Sequence, residues 1–291
     1  MPAKPIKSVQ MYDRLLNPAE AELWLNVLLH GAGPPIEVRG RLMGPRCRFA
    51  GTVEVAYPLR PRSGPTGRDD LLGLRVLIPE PSYWDPESPF LYEGPLEAWQ
   101  GDERVQQLAL RHGFRVLHLS QRGLRCNNRL VELRGRSVKE LAETQALAFR
   151  QSGGNLLLTP LCDETAGLWD LADHFGFLML GVLDGRAGIW DEVQALGGHP
   201  SCLGWVMPQA LFERGSFPAE LPAPLRTGQF LGAQLSGASM PTLPPAVQFL
   251  ICDEACQPEP EAMAYPRLLL RRNETAPEGA GASDVLGWID A

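Results

Sequence analysis

Carboxylates stand where several apolar, strand-like runs give way to loops. Asp163 and Glu164 follow Asn155-Leu-Leu-Leu-Thr159, Asp184 follows the run 177–183, Asp253 and Glu254 end the run 247–252, and Glu274 comes after 267–270. Two opposed carboxyls, one kept protonated and one ionised, supply an acid and a nucleophile for hydrolysis. Singly, an acid at a strand exit is an ordinary loop or helix-capping residue. The five histidines include no pair at metal-ligand spacing, so no metal is expected. The six cysteines (Cys47, Cys126, Cys162, Cys202, Cys252, Cys256) form no C-x-x-C pair. Several lie inside apolar runs, which reads as buried free thiols. Phosphate-loop, dinucleotide-glycine and G-x-S-x-G patterns are missing from the sequence, and no cofactor is expected.

The elements that would position these groups change character along the chain. Up to about residue 120 short alternating segments recur (21–29, 36–43, 51–59, 72–78, 104–110 and 115–119), bounded by Gly, Pro, Asp or Asn, which predicts a β-sandwich. The stretch Pro61 to Asp70 is loop text and is expected to be mobile. Asn127-Asn128 suits a tight hairpin turn. Thereafter helix and strand alternate: helix 138–151, strand 155–159, helix 166–175, strand 177–183, helix 189–196 and strand 202–207, as in parallel β/α units of a barrel. Past Pro208 prolines multiply and helix signals fade, though strand-like runs persist at 229–235, 247–252, 267–270 and 285–289. From Val131 on, about 160 residues remain, against about 200 or more for a full eight-unit barrel, so a reduced second half is expected.

Composition bounds the function classes. Hydrophobic residues make up 44% and charged residues 21%, as in ordinary globular chains. The net charge of −7 and the scattering of the arginines speak against a nucleic-acid partner. No apolar run is long enough for a membrane helix. The first ten residues lack the apolar core of a secretory signal, so a cytoplasmic location is expected.

Five blocks in order give the chain a resemblance. Trp84-Asp-Pro-Glu-Ser-Pro-Phe-Leu-Tyr92, Gly113-Phe114-Arg115, Leu124 to Gly135, Trp169 to Leu178, and His199-Pro200-Ser201 to Trp205 are similar to signature segments of glycoside hydrolase family 2, the β-galactosidase, β-glucuronidase and β-mannosidase group. The resemblance implies a multi-domain α+β chain: an immunoglobulin-like β-sandwich at 1–122, then a degenerate, shortened TIM-type barrel at 123–291. The family's N-terminal sugar-binding jelly roll has no counterpart in the sequence.

It also implies where the chemistry would be. Family members are retaining glycosidases with two carboxyls roughly 5 Å apart. Their acid/base glutamate follows an Asn at the end of the fourth barrel strand; here Gln209 stands for the Asn and Ala210 for the glutamate. The positions after the second strand fall on Leu158 and Leu161, an acidic pair after the third on Gly181 and Val182, and the segment after the first becomes Ser137-Val138-Lys139-Glu140. A methyl group cannot donate a proton, so catalysis is expected to be lost. Relocated carboxylates (Glu274, Asp184 or Glu164) are the alternative. Trp169, Trp190 and Trp205 could stack on a sugar; core-like surroundings claim Trp169 and Trp205, leaving Trp190 as the stacking candidate. His174 is expected to face solvent and His199 to be structural. Three readings follow: a non-catalytic module binding a carbohydrate or protein partner, an active glycosidase with a rebuilt site, and an interaction protein whose eroded barrel offers strand edges.

Overall fold

The computed structural model describes residues 4–30, 35–62, 68, 70–213, 228–236, 241–253, 264–271 and 285–290. Of the stretch read as a mobile loop, residues 63–67 and 69 lie outside these, as do Glu254, Cys256 and Glu274. Contacts divide the chain into a first unit, 1–84 with 88–114, and a second, 85–87 with 115–291.

The first unit is two four-stranded antiparallel sheets. One has the order β1 (Ile6–Leu16), β2 (Glu20–Leu29), β6 (Leu71–Pro79), β5 (Arg60–Pro61); the other β4 (Val55–Pro58), β3 (Glu37–Arg46), β7 (Leu91–Gln100), β8 (Glu103–His112). Strict alternation builds the first sheet: Ala21, Leu23, Leu25 and Val27 are fully buried, while Glu20, Glu22, Trp24 and Asn26 point the other way. Leu42, Leu96, Ala98 and Leu110 of the second sheet join them in one apolar core. Each such buried Leu or Val is worth about 1.5–3 kcal/mol. The edge strands β1 and β8 are stitched by side chains: Gln106 Oε1 accepts from the Ile6 amide at 2.8 Å, and His112 Nε2 lies 2.8 Å from Asp13 Oδ1. Neither β1 nor β7 stands out in the sequence, because β1 carries charges on both faces and β7 contains Gly94-Pro95.

The second unit is a closed barrel of eight parallel strands: β12 (Leu133–Ser137), β13 (Leu156–Pro160), β14 (Leu178–Val182), β15 (Cys202–Pro208), β16 (Phe230–Gln234), β17 (Phe249–Asp253), β18 (Arg267–Arg271) and β19 (Val285–Asp290). β19 pairs with β12 and closes the ring. The expectation of an eroded barrel with strand edges to offer is thereby corrected. Helices α1 (Glu143–Gln151), α2 (Ala166–Phe175), α3 (Ile189–Leu196) and the short α4 (Gln209–Glu213) follow the first four strands. Among the described residues no helix follows the last four. The first helix starts later than its apolar spacing predicts, because the Val138 amide still bonds the Leu158 carbonyl at 2.9 Å, extending the ladder.

Two apolar layers hold the unit. Leu157, Met179, Trp205, Leu231 and Leu250 face outward and meet Leu168, Trp169, Phe175 and Val193 of the helices. Trp169 and Trp205 lie with ring centroids 5.5 Å apart. Inside, Leu133, Leu203, Phe230, Phe249, Leu268 and Leu286 close on Leu119 and Leu124 around a cavity of ≈ 10 Å³, which holds one water at most. Leu119 and Leu124 belong to a three-stranded sheet, β9 (Leu117–Ser120), β10 (Gly123–Cys126) and β11 (Arg129–Val131), that floors the barrel at its N-terminal end. Residue 122, the boundary read from the sequence, falls in the turn between β9 and β10. Residues 85–87 are held to the helices by Arg150, whose guanidinium donates to the carbonyls of Pro86, Glu87 and Phe175. Gly176, in the left-handed region at φ 75°, ends α2 where a side chain would strike the Pro86 carbonyl.

Candidate functional site

In a parallel barrel the reacting groups sit at the C-terminal ends of the strands. Here these ends are Ser137, Pro160, Val182, Pro208, Gln234, Asp253, Arg271 and Asp290. Side chains alternate between interior and exterior, and Phe249 and Leu286 mark the interior. Alternation from Phe249 through Ile251 brings Asp253 to the inner face at the mouth, where it is half-buried. Asp290 shares its register row with Arg136 and Arg271 on the outer face.

At the exit of β15, Ala210 is exposed at the start of α4. Beside it, Gln209 is engaged: its Oε1 accepts from the Ser236 amide at 2.8 Å and hydroxyl at 3.0 Å, and its Nε2 donates to Glu213 at 2.6 Å. Gln209 thus ties the loop after the fourth strand to the loop after the fifth. A second tie joins the second and third loops. Arg186 donates to the Leu161 carbonyl at 2.7 Å, to Asp184, and to both oxygens of Glu192. Burial alone would raise the Asp184 carboxyl, but the Arg186 amide, guanidinium hydrogen bond and charge outweigh it and hold it below its ordinary value. Those two carboxylates push the Arg186 guanidinium up in turn. Asp184 is therefore an ionised partner of an arginine, unsuited to donate a proton.

Of the remaining expected positions, Ser137 and Leu158 are register partners on neighbouring strands, and the others separate. Ser137 is exposed at the end of β12, and Glu164 is exposed in the 3-10 turn 163–165. Leu158 is buried and faces inward with Leu156. Leu161 and Gly181 do not face the mouth. A Cβ on Gly181 would stand 2.8 Å from the Trp205 ring and 2.9 Å from Leu161, in the layer between strands and helices, so both positions serve packing. Trp190 is half-buried and packs against that same layer. Glu274 lies outside the described residues.

A cluster that histidine spacing alone does not reveal lies at the opposite end of the barrel. Asp170, Asp173 and His199 offer ligand atoms within 4.8 Å of one another. Asp173 is fully buried; its Oδ2 meets His199 Nδ1 at 2.7 Å and its Oδ1 accepts the Ser201 amide at 3.0 Å. The pair thus fastens the last turn of α2 to the approach to β15. The signal in the sequence is the helix acid Asp173 together with His199-Pro200-Ser201.

No protein-family model matches the chain, and no curated protein matches it. Solved structures do. A β-glycosidase from Bacteroides vulgatus superposes with TM-score 0.61 at 14% identity, over 90% of this chain and 37% of its own. A glycosyl hydrolase family 2 member from Bacteroides cellulosilyticus gives 0.60 at 13%, over 97% and 43%. Bacteroides uniformis β-glucuronidase 2 gives 0.62 at 12%, over 97% and 45%. The chain carries the fold of the family 2 glycosidases. It spans less than half the length of these three structures. At such identities the likeness establishes the fold, and a fold hosts many functions. No described helix is long and apolar enough to cross a membrane.

Proposed function

We propose that this chain is a non-catalytic relative of the family 2 glycosidases, a binding or scaffold module for a carbohydrate or protein partner. The observation that carries the reading is Ala210: an exposed methyl group follows β15 where the family's acid/base carboxyl would stand. The ties made by Gln209 and Arg186 support it, since they spend the polar groups of four mouth loops on one another. The two facing sheets of the first unit support an immunoglobulin-like sandwich as the accompanying domain.

A second reading, an active glycosidase with relocated carboxylates, is favoured by one observation, the half-buried Asp253 on the inner face of the mouth. Its partner would have to be a protonated carboxyl roughly 5 Å away for a retaining mechanism. Ionised Asp184 does not meet that need. The reading as an edge-pairing interaction protein loses its basis with barrel closure.

Hydrolysis of aryl β-galactoside, β-glucuronide, β-mannoside and β-glucoside by concentrated purified protein separates the first two. No turnover above buffer is expected on any of them. Turnover that vanishes in Asp253→Asn or Glu274→Gln would establish a rebuilt site instead.

A further inference from the structure

The two long edges of the first unit are finished differently. On one, Gln106 and His112 of β8 clasp Ile6 and Asp13 of β1. On the other stand β5, which is cut short at Pro61, and β4, which among the described residues pairs with β3 alone. Exposed edges are ordinarily blunted by lysine, proline or a bulge. In β4 the one such device is Pro58, at its last position. The text leading into it, Gly51-Thr-Val-Glu-Val-Ala-Tyr57, holds a single charge, and Arg46 pairs with that Glu54 at 2.7 Å. Tyr57 and Leu59 pack against the core, so alternation puts Val55 on the same face. Yet Val55 is 47% exposed, and Val53 before it 83%. The apolar inner face of this sheet runs past the core that covers it.

One hydrogen bond tells which backbone groups of β4 are turned outward. The Leu59 amide bonds the Gly40 carbonyl at 3.0 Å, and bonded residues recur at every second position of an antiparallel ladder. Tyr57 and Val55, opposite Leu42 and Gly44, therefore spend their groups on β3. Glu54, Ala56 and Pro58 turn theirs to solvent.

We propose that two copies of this chain pair through β4, antiparallel about a twofold axis at Val55, which joins their four-stranded sheets into one. Parity leaves few registers. Glu54 opposite the second copy's Glu54 would set like charges against each other, which destabilises a sheet. Glu54 opposite Pro58 would lose a donor, because proline has no amide hydrogen. Glu54 opposite Ala56 avoids both and moves Pro58 to the end of the contact. Val55 then meets Val55 in an unbonded pair, and Val53 meets Tyr57, a β-branched and aromatic pairing that sheets favour. This fit of the edge to itself selects a second copy over an unrelated strand. The contact belongs to the sandwich rather than to the closed barrel and is independent of the function proposed for the chain. One short strand from each copy makes a small interface, so the dimer is weak, with a dissociation constant on the order of 100 µM.

Sedimentation equilibrium of the full chain, from about 1 to about 500 µM, tests it. A reversible monomer–dimer equilibrium is expected. Ala56→Pro removes an outward amide and no bond to β3, and is expected to weaken the dimer about tenfold or more. Val55→Cys is expected to cross-link to its copy on mild oxidation, since an unbonded antiparallel pair meets disulfide geometry. Ala56→Cys, on the other face and opposite Glu54, is expected to cross-link no more than the parent, whose half-buried Cys47 makes the parent the blank. A monomer at every concentration overturns the proposal, as does a dimer that Ala56→Pro leaves intact. Equal cross-linking of the two cysteine variants overturns it too. Should Ala56→Pro misfold by circular dichroism, the cysteine variants decide.

Discussion

Asp173 shows how one residue joins sequence to architecture in this barrel. A fully buried carboxylate is tolerated only when its oxygens are occupied, and here the His199 ring and the Ser201 amide occupy them. Removing the acid leaves the buried Ser201 amide unsatisfied and takes the partner from the half-buried His199 ring. Asp173→Ala is therefore expected to cost about 1–3 kcal/mol, the cost of leaving a buried group without its hydrogen-bond partner. Asp173→Asn, which keeps an acceptor for the Ser201 amide, is expected to cost clearly less. Urea unfolding followed by circular dichroism measures both; a loss below about 1 kcal/mol for the alanine variant would show that the junction does not rest on this pair. The same scale explains what the sequence could and could not tell about the site. The place of Ala210 at a strand exit was legible because Trp205 stands five residues earlier, inside the apolar strand. Leu161 and Gly181 were not, because strands buried on both faces read as continuous apolar text and conceal which side each residue takes.

Among the elements, the β10–β11 hairpin is the clearest case of turn chemistry dictating structure. Asn127 and Asn128 both adopt positive φ, 52° and 66°, which a two-residue turn of the favoured hand requires. Asn127 adds a reciprocal link: its amide bonds the Val116 carbonyl at 2.8 Å and its Oδ1 accepts the Val116 amide at 2.9 Å. Asn128 makes no such side-chain link, so its role is conformational. Asn128→Gly is expected to leave stability unchanged or slightly raised, and Asn128→Val to lower it by about 1–2 kcal/mol, the cost of forcing a branched side chain into the left-handed region. Thermal unfolding of the two variants reads the difference, and equal midpoints would mean that the turn conformation is not limiting. Elements whose pattern is this local were readable from sequence, as were β2, β6, α2 and α3 with their clean periods. Those set by long-range pairing were not: β1 is a strand because β2 offers it a partner along its length, and β7 because β3 and β8 flank it despite Pro95.

For the molecule as a whole, closure of the barrel is the feature that length arithmetic concealed. Counting residues presumes a unit of full size after every strand, but the described strands form a ring of eight, held by pairing and interior packing. β19 completes that ring by pairing with β12 on one side and β18 on the other, and it sends Leu286 and Ile289 into the interior. Burying those two side chains is worth about 1.5–3 kcal/mol each, before the ladder bonds are counted. A chain ending at residue 284 would lose that packing, open the cavity lined by Leu286, and leave β12 and β18 with unpaired edges. Parallel edges of apolar strands are templates for association, so the shortened chain is expected to aggregate or to elute as oligomers in size-exclusion chromatography. Its second unit is expected to unfold at a markedly lower urea concentration than that of the full chain. A monomeric shortened chain with an unchanged unfolding midpoint would mean that the first seven strands hold the barrel by themselves, and that closure is an accessory rather than the foundation of this reduced fold.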